Sequence, residues 1–302
     1  MHSHHDHGHS HADHFNTHNR AFALAVILNL AFVLIEVVYG LMAGSLALLA
    51  DAGHNLSDVL GLLMAWMASW LAGRKATWRN SYGLKKTTIL AALFNALFLI
   101  AAVGGIAWEA IRRFSDPSEV AGMTVIVVAR IGVLINGATM LLFMRGQKGD
   151  LNIRGAFLHM AADTAVSVGV VVAGVAIMIT GINWIDPVVS LVIAAVIFIS
   201  TWQLLKDSVN LAVDAVPRDI DPSQVYKSLE GLTGVESVHH LHIWALSTTE
   251  NALTVHMVKP DPDGDDRLIE EASQLLAHDF NIQHVTIQWE REAKECPTIA
   301  YC

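Results

Sequence analysis

The sequence predicts an α-helical membrane protein, with six transmembrane helices followed by a small cytoplasmic α+β domain. Three observations carry that expectation. Only 16% of the 302 residues are charged and 53% are hydrophobic, whereas ordinary soluble domains carry about 25% charged residues. The apolar residues gather into six long stretches in the first two thirds of the chain. The charge balance then changes. Residues 1–210 hold 13 basic and 12 acidic residues, and residues 211–302 hold 6 and 16. These shifts set three regions: a polar N-terminus at 1–19, a membrane domain at 20–210 and a C-terminal domain at 211–302. Clustered positive charge, the footprint of a nucleic-acid binder, is absent.

Residues 1–19, MHSHHDHGHSHADHFNTHN, contain eight of the 16 histidines. So polar a tract cannot bury a core and is expected to be disordered. It lacks the basic-then-apolar order of a signal peptide. Its imidazoles suit weak capture or sensing of Zn²⁺, Ni²⁺ or Cu²⁺.

The six apolar stretches are Ala21–Tyr39, Ser45–Ala72, Thr87–Trp108, Val120–Met144, Gly155–Thr180 and Pro187–Leu205. Each is long enough to cross about 30 Å of hydrocarbon as a helix. The segment between spans two and three carries Arg74, Lys75, Arg79, Lys85 and Lys86, and that between four and five carries Arg145, Lys148 and Arg154. The opposite side has only Arg112 and Arg113, after span three. Basic loops stay in the cytoplasm, which with six spans places both termini there; the expected location is the inner (plasma) membrane.

Beyond residue 211 the pattern changes to short elements. Asp221-Pro222 opens a helix that ends near Gly231. Val235–Leu246 and Ala252–Val258 read as strands. A Pro260–Gly264 turn precedes a helix over Asp265–Asp279, and His284–Trp289 alternates as a third strand. The order αββαβ describes a small layered domain. The only cysteines, Cys296 and Cys302, close the chain and suggest no disulfide framework.

The sharpest feature is a doublet. Span two contains His54-Asn-Leu-Ser-Asp58 and span five contains His159-Met-Ala-Ala-Asp163. Positions four apart share one helix face, so each span presents an imidazole beside a carboxylate. Ionisable groups inside a bilayer mark ion or proton pathways. The two spans run antiparallel, so packing them side by side sets His54 near Asp163 and Asp58 near His159. Two nitrogens and two oxygens then converge, a set that zinc accepts tetrahedrally. Asp51, three residues before His54, is open to three roles: supporting the site, accepting a proton, or stabilising the outer end of the span. Glu36 and Arg130 each need a partner, and pairing with one another is one solution.

These residues carry a resemblance. Leu49-Ala-Asp-Ala-Gly-His-Asn-Leu-Ser-Asp58, His159-Met-Ala-Ala-Asp163, Asp186-Pro187 and Val238-His-His-Leu-His-Ile-Trp244 together resemble the cation diffusion facilitators, in the bacterial zinc, cobalt and cadmium efflux group. The resemblance spans residues 20–290. It implies a homodimer whose C-terminal domain is metallochaperone-like and which exchanges cytoplasmic Zn²⁺ for protons by alternating access. His54, Asp58, His159 and Asp163 would form the transport site. It also implies zinc ligands in the cytoplasmic domain at His239, His256 and Glu290, with Zn²⁺ there as a regulatory ligand that draws the subunits together. His284, Cys296 and Cys302 are further candidate ligands. By strand alternation alone, His240 and His242 share one face and His239 points to the other. One departure stands out. Relatives often carry Tyr-Gly-x-x-Arg-x-Glu before span three; here Tyr82-Gly-Leu-Lys-Lys86-Thr-Thr88 keeps the basic residue and loses the acid.

Metal ligation requires neutral imidazole and ionised carboxylate, so metal entry displaces protons. No G-x-x-x-x-G-K-[ST] phosphate loop is present to couple ATP, and no organic cofactor is expected. An intramembrane zinc hydrolase would need an open coordination position and a general base, commonly in H-E-x-x-H, which the chain lacks. A membrane-bound metal sensor or storage protein would not need ligands at mid-span. The expected partners are therefore the bilayer, divalent metal ions, protons and a second copy of the chain.

Overall fold

Among the described residues, the first 212 are dominated by six long helices: α1 (Ala12–Ala43), α2 (Leu46–Ala72), α3 (Thr87–Ser115), α4 (Gly122–Met144), α5 (Leu151–Thr180) and α6 (Ile185–Ala212). The chain is seen in a computed structural model that describes residues 12–115, 119–144 and 151–292. The side chains of 12–26, 28, 62, 65, 69, 142, 143, 151–156, 158 and 159 lie outside that description. Five helices, α2 to α6, contain stretches long and apolar enough to cross a bilayer, and α1 adds the shorter apolar stretch Asn29–Ala43. The expected boundary at residue 19 falls inside α1. Extending an existing helix adds one hydrogen bond per residue fixed, without a new nucleation cost, so a polar tract can continue it. The rest of the His-rich tract lies outside the described residues.

The described chain forms two compact units. The first joins the chain up to Leu60 to Phe98–Ser200, and the second joins Gly61–Leu97 to the chain from Thr201 onward. The first unit packs around Ala47, Leu48, Ala50, Val125, Ala129 and Val170. Small residues let its helices approach closely. A Cβ on Gly174 would sit 2.9 Å from the Ile126 side chain, and one on Gly132 would sit 2.6 Å from the Phe32 ring. Leu41, Trp66, Leu134, Val172 and Ile199 are left exposed, an apolar surface suited to hydrocarbon rather than water.

The α1–α2 turn passes through Gly44 at φ +64°, where a Cβ would meet the Glu119 carbonyl at 2.9 Å. Asp186, in the first turn of α6, then caps α2. Its carboxylate accepts from Ser45 Oγ at 2.5 Å, Leu46 N at 2.7 Å and Ala47 N at 3.2 Å. Those amides have no partner within their own helix, and an anion at a helix N-terminus also suits the helix dipole.

In the second unit, α7 (Pro222–Glu230), β1 (Ser237–Ala245), β2 (Asn251–Val258), α8 (Asp265–Phe280) and β3 (Ile282–Glu290) follow the expected αββαβ order. The sheet order is β1-β2-β3, with β1 antiparallel and β3 parallel to β2. Asp221 caps α7 by accepting from Ser223 N at 2.9 Å, as its place before Pro222 predicts. Val225 and Leu229 of α7 and Leu268, Ala272 and Leu276 of α8 pack on Val255 and Met257. Strand alternation therefore turns His256 to the face away from the helices.

The segment before α3 is tied to this sheet domain. Lys85 Nζ pairs with the Glu250 carboxylate and donates to His284 Nε2 at 3.2 Å. Lys86 Nζ pairs with Asp214 at 2.6 Å. Thr88 accepts from the Thr248 amide at 3.0 Å.

Candidate metal centres

The membrane centre is built by α2 and α5. His54 and Asp58 lie one turn apart on α2, so they face the same way. Asp163 of α5 meets them: His54 Nε2 lies 3.0 Å from Asp163 Oδ1 and 3.8 Å from Asp58 Oδ2. One ligand atom from each of the three falls within 4.8 Å of the others. The cross-helix contact is the one that antiparallel packing predicts. His159 lies one turn before Asp163 on α5, and its side chain is outside the described residues. Asp163 is buried, while His54 and Asp58 are half-buried. An imidazole and two carboxylates in a desolvated site suit a divalent cation, which supplies the charge that the carboxylates lack.

One turn away from this site, the pairing repeats without histidine. Ser167 Oγ donates to Asp51 Oδ2 at 3.2 Å. Asn55 Nδ2 donates to Glu36 Oε2 at 3.1 Å. Glu36 and Asp51 are both 0% exposed, and their carboxyl groups face one another as a buried pair. The ion pair considered between Glu36 and Arg130 does not form: Glu36 faces Asn55 inside the unit, and Arg130 is exposed on α4.

The second centre lies on the open face of the sheet. His239 of β1 and His256 of β2 are cross-strand partners. Glu290 ends β3 two residues beyond Gln288, the partner of His256. His239 Nε2 lies 3.3 Å from Glu290 Oε2, and His256 Nδ1 lies 2.9 Å from Glu290 Oε1. All three are half-buried, with their ligand atoms within 4.8 Å of one another. Burial pushes the Glu290 carboxyl up, but the His256 hydrogen bond and the adjoining imidazoles outweigh it and hold Glu290 below its ordinary value. An anionic carboxylate between two histidines suits zinc or a similar borderline metal.

Strand alternation misplaced one residue here. It put His240 on the face opposite His239, but the β1–β2 register shifts between His239 and His242. His240 sits in that bulge at φ +50°. Its ring centre is 5.7 Å from that of His239 and 4.8 Å from that of His256. A non-glycine residue held there costs on the order of 1–3 kcal/mol. A bulge resets which side chains share a face, and the run His239-His240-Leu241-His242 contains no Gly or Pro to announce it.

His284 stands apart from this cluster. Its ring meets Lys85, lies 3.5 Å from Glu250 and packs edge-on against Tyr82 at 5.9 Å. It pairs in register with Ala252, near the other end of β2 from His256, so one strand cannot bring it to Glu290. Sequence reasoning missed the Lys85–Glu250 contact, because nothing local couples residues 165 apart. Cys296 and Cys302 lie outside the described residues.

Comparison with known proteins supplies the family. Residues 22–211 match the cation efflux transmembrane domain, and residues 217–292 match the cation efflux protein cytoplasmic domain. The chain is 35% identical over 288 residues to a cadmium, cobalt and zinc/H⁺-K⁺ antiporter of Bacillus subtilis, covering 94% of this chain and 92% of that protein. It is 39% identical over 278 residues to the metal cation efflux system protein CzcD of Cupriavidus metallidurans, covering 92% and 88%. The zinc transporter ZitB of Escherichia coli is 37% identical over 261 residues, covering 86% and 83%. A solved metal-bound C-terminal domain of the Cupriavidus CzcD transporter is 42% identical and covers 24% of this chain and 99% of that one, with a TM-score of 0.22. With both of its domains matched and relatives aligned along nearly its whole length, the chain belongs to the cation diffusion facilitators, a family of cation efflux transporters.

Proposed function

We propose that this protein exports Zn²⁺, and with it Cd²⁺ or Co²⁺, from the cytoplasm in exchange for protons. The observation that carries the reading is the approach of His54, Asp58 and Asp163 within membrane-spanning helices. His159 completes the transport set as the fourth ligand. The protein works as a homodimer of six-span subunits in the inner membrane, with both termini cytoplasmic. The names of the relatives, zinc transporter and cadmium, cobalt and zinc antiporter, support the choice of metals.

Coordination by neutral imidazole and ionised carboxylates releases protons as the ion binds. Reprotonation from the acidic side of the membrane weakens the same ligands and frees the ion there. One site exposed alternately to the two sides thus couples the two flows without ATP. The His239, His256 and Glu290 centre binds the same metal and regulates transport without carrying it. His284 is left outside that ligand set, and its contacts with Lys85 and Glu250 support its exclusion; Cys296 and Cys302 lie outside the described residues and are not assigned.

The test is Zn²⁺ uptake into inside-out vesicles or proteoliposomes under an imposed pH gradient. An acidic lumen is expected to drive accumulation, and collapsing the gradient to stop it. Zn²⁺ binding without gradient-driven flux would overturn the reading in favour of a sensor or store.

A further inference from the structure

We infer that His240 is a fourth metal ligand of the cytoplasmic centre, closing a three-histidine, one-carboxylate set within a single chain. This rests on the reading that His239, His256 and Glu290 bind metal, and adds a residue that reading does not contain.

The geometry carries the inference. Two imidazoles on one tetrahedral zinc place their ring centres about 3.2 Å from the ion and therefore about 5 Å from each other. The three ring separations here are 5.4 Å for His239–His256, 5.7 Å for His239–His240 and 4.8 Å for His240–His256. The ring centres are thus spaced as around a common ion; the ligand atoms of His239, His256 and Glu290 already lie within 4.8 Å of one another, and His240 joins that set by turning its ring toward them. Glu290 already reaches His239 and His256 at 3.3 and 2.9 Å, supplying the fourth donor.

The backbone supports the same assignment. In a regular strand His239 and His240 would face opposite ways. The shift between His239 and His242, with His240 at φ +50°, turns both rings to one side. A positive φ is uncommon for any residue that carries a Cβ. Unfavourable backbone conformations persist where the surrounding structure and function require them. His242 also lies near, its ring 6.1 Å from that of His240, but it is exposed. Zinc sites with four protein ligands are closed and structural, whereas three-ligand sites keep an open position. The set therefore fits a site that holds metal instead of passing it on.

The experiment uses the purified full-length protein in detergent, carrying Asp163→Asn so that the membrane site is disabled. Co²⁺ alone is the first probe, because four-coordinate cobalt absorbs visible light far more strongly than the six-coordinate ion. Zn²⁺ affinity is then read by displacement of Co²⁺. His240→Asn and His240→Gly both tolerate a positive φ and keep the bulge. Each is expected to weaken the visible bands several-fold and to weaken Zn²⁺ binding by more than tenfold, since losing even an outer partner of a ligand costs about 10–100-fold. His239→Ala is the control and should remove both signals. If both His240 variants keep the parent spectrum and affinity while His239→Ala loses them, the centre has only the three original protein ligands and the inference fails. If His239→Ala also changes nothing, the reading of this domain as a metal centre fails as well.

Discussion

Asp163 is the buried member of the membrane site, in contact with His54 across two helices. An ionised carboxylate there balances a divalent cation where solvent screens poorly. Asp163→Ala and Asp58→Ala are therefore each expected to abolish vesicle Zn²⁺ uptake while the protein still elutes as a folded species. Near-normal uptake in either would remove that residue from the mechanism. His54 tests selectivity. His54→Asp replaces an imidazole, which suits zinc, with a harder oxygen donor. Competitive uptake of Zn²⁺, Cd²⁺ and Mn²⁺ should shift away from Zn²⁺ at matched protein levels. Three neighbouring carboxylates also resist full ionisation, so binding by the variant should change its pH profile. Unaltered metal ratios would mean that His54 does not touch the ion.

At the level of elements, two joints hold helices in place. The first is Asp186 on the N-terminus of α2, the helix that carries His54 and Asp58. Asp186→Ala strands two amides and a hydroxyl in a buried place. The expected cost is on the order of 2–3 kcal/mol, read as a lower thermal midpoint in detergent, with a smaller loss for Asp186→Asn. A midpoint unmoved by Asp186→Ala would deny it the capping role. The second joint is the contact between Lys85, before α3, and Glu250, before β2. The Lys85 ammonium holds the Glu250 carboxyl below its ordinary value near 4.5, against the opposing effect of burial. A carboxyl depressed in the folded state stabilises above its unfolded value and loses that contribution as the pH falls through the folded one. A double-mutant cycle with Lys85→Ala and Glu250→Ala should therefore show coupling at pH 7 of about 0.5 kcal/mol, typical of a partly exposed pair. That coupling should fade below pH 4.5. Equal coupling at pH 7 and pH 3 would point to packing instead of charge.

For the molecule as a whole, the proposed division of labour is between a membrane site that moves metal, a cytoplasmic centre that holds it and a His-rich N-terminus. Removing residues 2–11 deletes six histidines and leaves intact the described part of α1, Ala12–Ala43. Transport should persist with at most a changed dependence on metal concentration, because the four proposed transport ligands all lie in α2 and α5. Loss of gradient-driven flux in the deletion would assign the tract a part in transport itself.

The sequence by itself determined the helical membrane domain, because a bilayer leaves a spanning chain little choice but long apolar helices. It determined the αββαβ order through local signals such as Asp221-Pro222 and the alternation of β3. It also brought His54 to Asp163, since the four-residue spacing and the antiparallel run of two helices leave that pairing little freedom. Only the tertiary structure decided where Glu36 finds its partner, because a buried carboxyl is satisfied by whichever donor packs against it, here Asn55. Only it set Lys85 on Glu250 and His284, a contact between distant segments with no periodicity to announce it. And only it placed His240 beside His239. Alternation is a rule of the regular strand, and a single extra residue in one strand, fixed by how the sheet packs, reverses which side chains share a face.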